Sequence, residues 1–310
     1  LIENEDIVVT ITHSGYVKKI PLDTYKQQKR GGAGVIATET NEEDVVEQLF
    51  TCSTKDYILL FTNKGKAHWL KAYHIPTGTR YAKGKALINL IKLDQGERVT
   101  STIPIKSFDK GYIVMITKKG LIKKCFIDLF ANPRSGGIIA IKLRDNDELV
   151  NVIFTDGYKK LILATANGMA IRFDEIDAKP IGRTAMGVRA ISLKGDDDVV
   201  SASISEDNNT VLTICENGFG KRSPIEDYRL IKRGGSGVIN IKTTDRNGRV
   251  VGMVTTTDDD EVMFITSKGV IIRTPVKGIS TIGRNTAGVK LMNSKLNDKV
   301  VSVTKIAKED

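Results

Sequence analysis

Six arginines stand in register along this sequence. Arg30, Arg80, Arg183, Arg233 and Arg284 each lie four residues before a glycine, and Arg134 lies three before one in a shortened copy. A second basic site recurs upstream: Lys18 and Lys19, Lys66, Lys123 and Lys124, Arg172, Lys221 and Arg222, and Arg273. Lys29, Lys83 and Lys232 flank the arginines. A guanidinium presents two parallel N–H donors to a pair of anionic oxygens, and evenly spaced guanidiniums suit a polymer of anions. One such residue is an ordinary solvated charge. A set that keeps register while its surroundings diverge points to a shared task.

Other chemistries find little support. His13, His68 and His74 have no ligand-spaced partner and read as structural. Asp258-Asp259-Asp260-Glu261 lacks the spaced oxygen donors of a calcium loop. The Gly-rich loops have no following Gly-Lys-Ser/Thr and no helix, so they are not nucleotide loops. No nucleophile–base pair is present, so the expectation is a chain without catalytic residues, metal or cofactor.

The elements that carry the arginines are repeats. Six β-branched runs (Ile7 to Ile11, Tyr57 to Phe61, Tyr112 to Ile116, Leu161 to Ala164, Val211 to Ile214, Val262 to Ile265) are followed by Thr12, Thr62, Thr117, Thr165, Cys215 or Thr266. Three residues on come Gly15, Gly65, Gly120, Gly168, Gly218 and Gly269, at intervals of 50, 55, 48, 50 and 51 residues. A second glycine follows after 19 residues, or 17 in the third copy: Gly34, Gly84, Gly137, Gly187, Gly237, Gly288. Asn167-Gly168 and Asn217-Gly218 favour a type I′ turn, so the first two strands form a tight hairpin. A third run begins at the second glycine (Ala86 to Leu90, Ile138 to Leu143, Val188 to Leu193, Val238 to Lys242). A fourth follows a polar turn (Val45 to Phe50, Val199 to Ile204, Val250 to Val254).

Four short strands in about 50 residues make one propeller blade, which must stack on neighbours to bury both faces. The expected fold is all-β: a six-bladed β-pinwheel or β-propeller-like ring of four-stranded antiparallel blades. It forms one repeat domain over 1–310, with blades near 7–55, 56–106, 111–157, 160–206, 209–258 and 261–306. Two β-sandwiches would need a linker at the midpoint, and the spacing shows none.

The chain carries 47 basic and 37 acidic residues, a net +10, with a pI near 9.3. Between the first and second glycines lie 23 basic and 7 acidic side chains, which leaves the remainder at −6. Basic charge therefore gathers on strand two and the loop after it, while Glu42 to Asp44, Asp196 to Asp198 and Asp258 to Glu261 fall outside. In a ring, equivalent positions form one band, and such a band matches the bent phosphate backbone of double-stranded DNA. No recognition helix or zinc spacing is present, and loop aromatics are few (Tyr25, Tyr81), so backbone and shape contacts are expected rather than base reading. A protein-interaction scaffold using the propeller's top face is the reading from a different class. No apolar run approaches the roughly 18 residues of a membrane span. Cys52, Cys125 and Cys215, odd in number and each in an apolar run, read as buried, reduced thiols of a cytoplasmic protein. Leu1 at the start fits a segment cut from a longer chain.

One loop is more specific. Gln28-Lys29-Arg30-Gly31-Gly32-Ala33-Gly34 resembles the signature box of the C-terminal domain of the bacterial DNA gyrase A protein, Gln-basic-Arg-Gly-Gly-basic-Gly. Six of its seven positions match, Ala33 standing where a basic residue is usual. Ile231 to Gly237 is a degenerate echo. The resemblance implies a pinwheel with strands exchanged between neighbouring blades and duplex DNA wrapped in a positive sense around the outer rim. It implies partners too: the rest of the gyrase A protein and the gyrase B protein in an A2B2 enzyme. That enzyme is a type IIA topoisomerase that uses ATP and magnesium to introduce negative supercoils at the bacterial nucleoid, with its cleaving tyrosine and ATPase outside this chain. The related topoisomerase IV protein, the alternative within the family, generally has fewer blades and a degraded or absent box.

Overall fold

The computed structural model describes residues 1–25, 46–79, 82–268, 270–293 and 297–307. Each initial run forms a strand covered on both faces; Tyr57–Thr62 and Lys160–Thr165 are buried at five of six positions. Double coverage is why these strands read as unbroken apolar runs rather than as alternation.

The first repeat contributes β1 (Asp6–Thr12), β2 (Tyr16–Pro21) and β3 (Val46–Ser53). The second contributes β4 (Tyr57–Thr62), β5 (Lys66–Lys71), β6 (Lys85–Ala86) and β7 (Val99–Ile105). The third gives β8 (Tyr112–Thr117), β9 (Leu121–Phe126), β10 (Ile138–Ile139) and β11 (Leu149–Thr155). From the fourth come β12 (Lys160–Thr165), β13 (Met169–Asp174), β14 (Val188–Arg189) and β15 (Val199–Ser205). The fifth has β16 (Thr210–Cys215), β17 (Phe219–Pro224), β18 (Val238–Ile239) and β19 (Val250–Thr256). The sixth has β20 (Glu261–Thr266), β21 (Ile271–Pro275), β22 (Val289–Lys290) and β23 (Val300–Lys305).

The chain divides into two compact units. The first, Leu1–Phe108 with Phe130–Ile139 and Ile306–Asp310, holds the sheets β3-β1-β2-β6 and β10-β5-β4-β7. The second, Asp109–Leu129 with Ala140–Lys305, holds β11-β8-β9-β14, β15-β12-β13-β18 and β19-β16-β17-β22. Its last sheet is β21-β20-β23, three-stranded among the described residues. The fold class is the expected all-β, six-bladed β-propeller of antiparallel blades. Cores lie between successive blades: Val9 and Ile11 pack with Ile58 and Leu60, Val114 and Ile116 with Leu161 and Leu163, and Leu212 and Ile214 with Val262 and Phe264.

The third run is shorter than its composition predicts, and it leaves its own repeat. Two residues pair with the second strand of the preceding blade: Ala86 with Tyr16, Ile138 with Ala67, Val188 with Ile122, Val238 with Ala170 and Val289 with Gly220. A blade is therefore not a contiguous stretch of sequence. The second glycine marks the crossing. A Cβ on Gly237 would lie 2.2 Å from the Ala170 carbonyl oxygen, and its φ is +76°. At the equivalent Gly84, Gly187 and Gly288 the preceding carbonyl would be 2.4–2.5 Å away.

The hairpin signature also has a cause. The Thr hydroxyl at the end of the first strand accepts the amide four residues on, as in Tyr16 N to Thr12 Oγ1 (3.1 Å) and Met169 N to Thr165 Oγ1 (3.0 Å). From the acidic turns, Asp147 and Asp197 enter the interior and accept the amides of Lys119 and Asn167, both at 2.9 Å. Those carboxylates satisfy turn donors, which explains acidic charge outside the basic windows. The three cysteines are buried and unpaired, and desolvation pushes Cys52 and Cys125 up to about 11 and Cys215 to about 12.

Gly237→Ala combines a backbone collision with a left-handed φ and should cost about 3 kcal/mol in urea denaturation. Gly136→Ala shares the positive φ but meets no atom within 4 Å, and should cost about 1 kcal/mol.

Candidate nucleic-acid interface

Strand two runs into a single 3-10 turn at Ala72–His74, Ile127–Phe130, Glu175–Asp177, Ile225–Asp227 and Val276–Gly278. The chain then loops to the second glycine, so the basic side chains sit where one repeat meets the next.

Four residues after the first glycine, the side chain ties this joint. Lys19 Nζ donates to the Tyr73 carbonyl at 2.9 Å, Trp69 Nε1 to Phe130 at 2.8 Å, Arg172 Nη1 to Tyr228 at 3.1 Å and Arg222 Nε to Ile279 at 2.7 Å. Every acceptor lies in, or directly after, the next repeat's 3-10 turn. Trp69 shows what the position requires, since an indole offers an N–H donor and no charge. Lys124 instead pairs with buried Glu175 at 3.0 Å and lies over the Tyr112 ring. Arg273 is exposed and binds Glu261.

One residue earlier the sequence reads Lys18, His68, Lys123, Ile171, Lys221, Ile272. The three lysines are 0–1% exposed. Lys18 Nζ donates to the carbonyls of Thr79 (2.8 Å) and Ala82 (3.1 Å), and Lys123 Nζ to those of Ala140 (2.8 Å), Ala185 (3.0 Å) and Arg183. Lys221 Nζ donates to Gly283 (3.0 Å) and Arg284. Burial lowers all three ammoniums to about 8. Sequence reasoning groups Lys18, Lys123, Lys124, Lys221 and Arg222 with outward DNA contacts; the structure buries them at the joints. The reason is that the exchanged strand roofs strand two, leaving loop carbonyls that need donors. In the second repeat, buried His68 meets Glu97 at 3.4 Å instead.

The register arginines occupy the loops these lysines hold. Arg233 donates from Nε to Asp177 O (2.8 Å) and from Nη1 to Arg189 O (2.9 Å). Arg284 repeats both contacts one period later, to Asp227 O (3.1 Å) and Ile239 O. Each guanidinium is thus fixed along two donors and half-exposed. Arg183 is likewise half-exposed, and Arg134 is exposed. Lys83 is exposed over the Tyr16 ring, and Lys232 is 91% exposed beside Asp177. The loop Gln28, Lys29, Arg30, Gly31, Gly32, Ala33, Gly34 and Arg80 lie outside the described residues. Sequence reasoning missed exposed Arg144, Arg189 and Arg246, the last stacked on Phe219 at 4.5 Å. The legible signal for Arg189 is its place two residues after a second glycine, where the other copies read Ile36, Ala86, Ile139, Ile239 and Lys290.

Fixed, outward guanidiniums beside glycine backbone can hold anionic oxygens; they offer no acid–base or nucleophilic chemistry. Among the described residues no three His, Cys, Asp or Glu side chains are grouped to hold a metal, and no helix is long and apolar enough to cross a membrane.

Lys123→Met keeps the stem but removes the side-chain donor to the Ala140 and Arg183 carbonyls, while Ala185 O keeps the Lys142 amide, so urea denaturation at pH 7 should show a loss of about 2–4 kcal/mol. The folded-state value near 8 lies below the unfolded value of 10.5. Between these the unfolded chain holds the extra proton, so wild-type stability rises with pH and its margin over Lys123→Met should widen.

The sequence model of the family described as "DNA gyrase C-terminal domain, beta-propeller" matches six successive segments, residues 6–53, 56–106, 111–156, 159–206, 209–257 and 260–307. The DNA gyrase A protein of Clostridium acetobutylicum is 47% identical over 311 residues, covering 100% of this chain and 38% of that protein. The DNA gyrase A protein of Salmonella typhimurium (strain LT2) is 43% identical over 308 residues, covering 99% of this chain and 35% of that protein. The chain thus spans roughly a third of these curated relatives. Among solved structures, a DNA topoisomerase IV C-terminal domain superposes with a TM-score of 0.88 at 29% identity, covering 98% of this chain and 94% of that one. A DNA gyrase A C-terminal domain gives 0.72 at 26% identity, covering 98% and 100%. With six blades, a glycine crossing at each described exchange and a family match through every repeat, the chain belongs to the DNA gyrase A C-terminal domain family.

Proposed function

We propose that this chain binds double-stranded DNA without sequence preference and bends it along its exposed arginines, serving as the wrapping arm of a gyrase. The observation that carries the reading is the paired anchoring of Arg233 and Arg284. Each spends Nε and one Nη on backbone carbonyls of the preceding repeat, leaving the other Nη group as an uncommitted donor on a half-exposed side chain. Fixed donors at one-blade intervals suit a phosphate backbone that must curve, and counterion release supplies the affinity. The contacts assigned to DNA are Arg134, Arg183, Arg233 and Arg284, with Lys83 and Lys232 beside them and the Gln28 to Gly34 loop as clamp. The chain contributes no catalytic group. The enclosing enzyme joins it to the rest of the gyrase A protein and to the gyrase B protein, and there ATP and magnesium drive strand passage in the bacterial cytoplasm.

A second reading, the equivalent domain of a topoisomerase IV, has the TM-score of 0.88 in its favour. The higher identity to gyrase A proteins, 43–47% against 29%, favours gyrase. Both readings predict DNA binding; they differ in wrapping sense and in supercoiling.

Sealing nicked circular plasmid in the presence of this chain should raise its linking number, and added salt should abolish the shift. An unchanged linking number at saturating protein removes the wrapping proposal. Replacing Arg30 to Gly34 by alanines should lose most of the shift, more than an equal charge loss elsewhere does. Restored to a full-length gyrase A protein with gyrase B and ATP, the chain should support negative supercoiling; relaxation alone would favour the second reading.

A further inference from the structure

Three arginines line one recess where the fifth repeat's loop lies on the fourth repeat's exchanged strand. Arg144, Arg189 and Arg233 line an open recess of ≈ 490 Å³ whose floor includes Leu121, Gly187 and Gly234. Backbone geometry holds them together. Arg189 pairs with Leu121 in the β14–β9 ladder, its carbonyl accepts from Arg233 Nη1, and the Gly234 amide donates to Ala190 O at 2.7 Å. Arg144 enters from the turn that follows the third repeat's short strand.

The charge in this recess is unbalanced. Among the described residues, the guanidiniums of Arg144 and Arg189 have no hydrogen-bond or ion-pair partner. Asp177, the carboxylate beside Arg233, is engaged by Lys232 (3.4 Å) and by the Arg233 amide (3.3 Å). Gathering cations costs electrostatic energy unless an anion occupies the space between them. The convergence is also particular to this joint. The next one places Ile239 where Arg189 stands, so its loop arginine, Arg284, lacks that cationic neighbour. Gly187 and Gly234 leave the recess without side chains that would keep an anion away.

We propose that this recess is a discrete phosphate seat, which grips one backbone position of bound duplex and so fixes the register of DNA on the fourth and fifth blades. The proposal rests on the DNA-binding reading above and adds a site of unequal strength to it. Arg144 and Arg189 act as phosphate ligands, while Arg233 both anchors the loop and offers its remaining donors. Phosphate oxygens of a free polyphosphate would satisfy the same donors; the commitment is to the phosphodiester of DNA.

The test uses Arg144→Gln/Arg189→Gln, whose side chains make no hydrogen bond or ion pair among the described residues. The control is Lys110→Gln/Lys268→Gln, an equal loss of exposed charge outside the basic windows. Duplex affinity is measured across a salt series for both and for wild type, and inorganic pyrophosphate binding by calorimetry. The expected result is a loss of about tenfold in duplex affinity for the arginine pair and about twofold or less for the control. Equal losses in the two variants overturn the seat and leave general DNA binding standing. Wild type that binds no duplex overturns the parent reading. If it then still binds pyrophosphate through Arg144 and Arg189, the site takes a small polyphosphate and the commitment to DNA is overturned.

Discussion

Among the described residues, five of the six blades are not finished by their own repeat. The outermost strand is two residues long, arrives from the next repeat, and crosses the preceding backbone at a distance that excludes a Cβ. Everything else at the joints follows from that crossing. The loop before the glycine is drawn onto the previous blade, its carbonyls are turned inward, and strand two must supply donors to meet them. Lys19, Trp69, Arg172 and Arg222 do so at one position, and Lys18, Lys123 and Lys221 at the position before it.

The basic residues therefore form two populations with opposite duties. Lys18, Lys123 and Lys221 on strand two are spent inside, where a buried ammonium is tolerated because two or three carbonyl dipoles surround it. Those in the loops are aimed outward by these same contacts, since Lys123 and Lys221 hold the carbonyls of Arg183 and Arg284 themselves. Where strand two offers Ile171 instead of lysine, the fifth repeat's loop is held by Arg233 and by the Gly234 amide. The net charge of +10 thus overstates what the surface presents to an anion.

The repeats, the hairpin glycines and the fold class were legible because turns and doubly covered strands leave strong local marks. Thr165 to Gly168 reads as a turn from its residues alone. The strand exchange is silent in composition, because two residues have no periodicity and their partner lies about 70 residues upstream, as Val238 does from Ala170. The inward aim of Lys123 was hidden for a related reason: on a strand covered from both sides, alternation no longer separates interior from surface. A cue was present nonetheless. A position filled by Lys, His, Lys, Ile, Lys and Ile in successive copies is an interior position that accepts different fillings. The register of the arginines was legible, whereas their division into anchored and free donors was not, since it depends on carbonyls one repeat back.

Donor and acceptor in each exchange belong to successive repeats, and this bears on how such a chain grows. Duplicating or deleting one full period, cut at any point, returns every two-residue strand to an equivalent neighbour and every crossing to a glycine. The backbone arrangement is thus inherited whole by each new copy. Only the fillings beneath the loops must be matched to each new neighbour, as the change from lysine to histidine or isoleucine there shows.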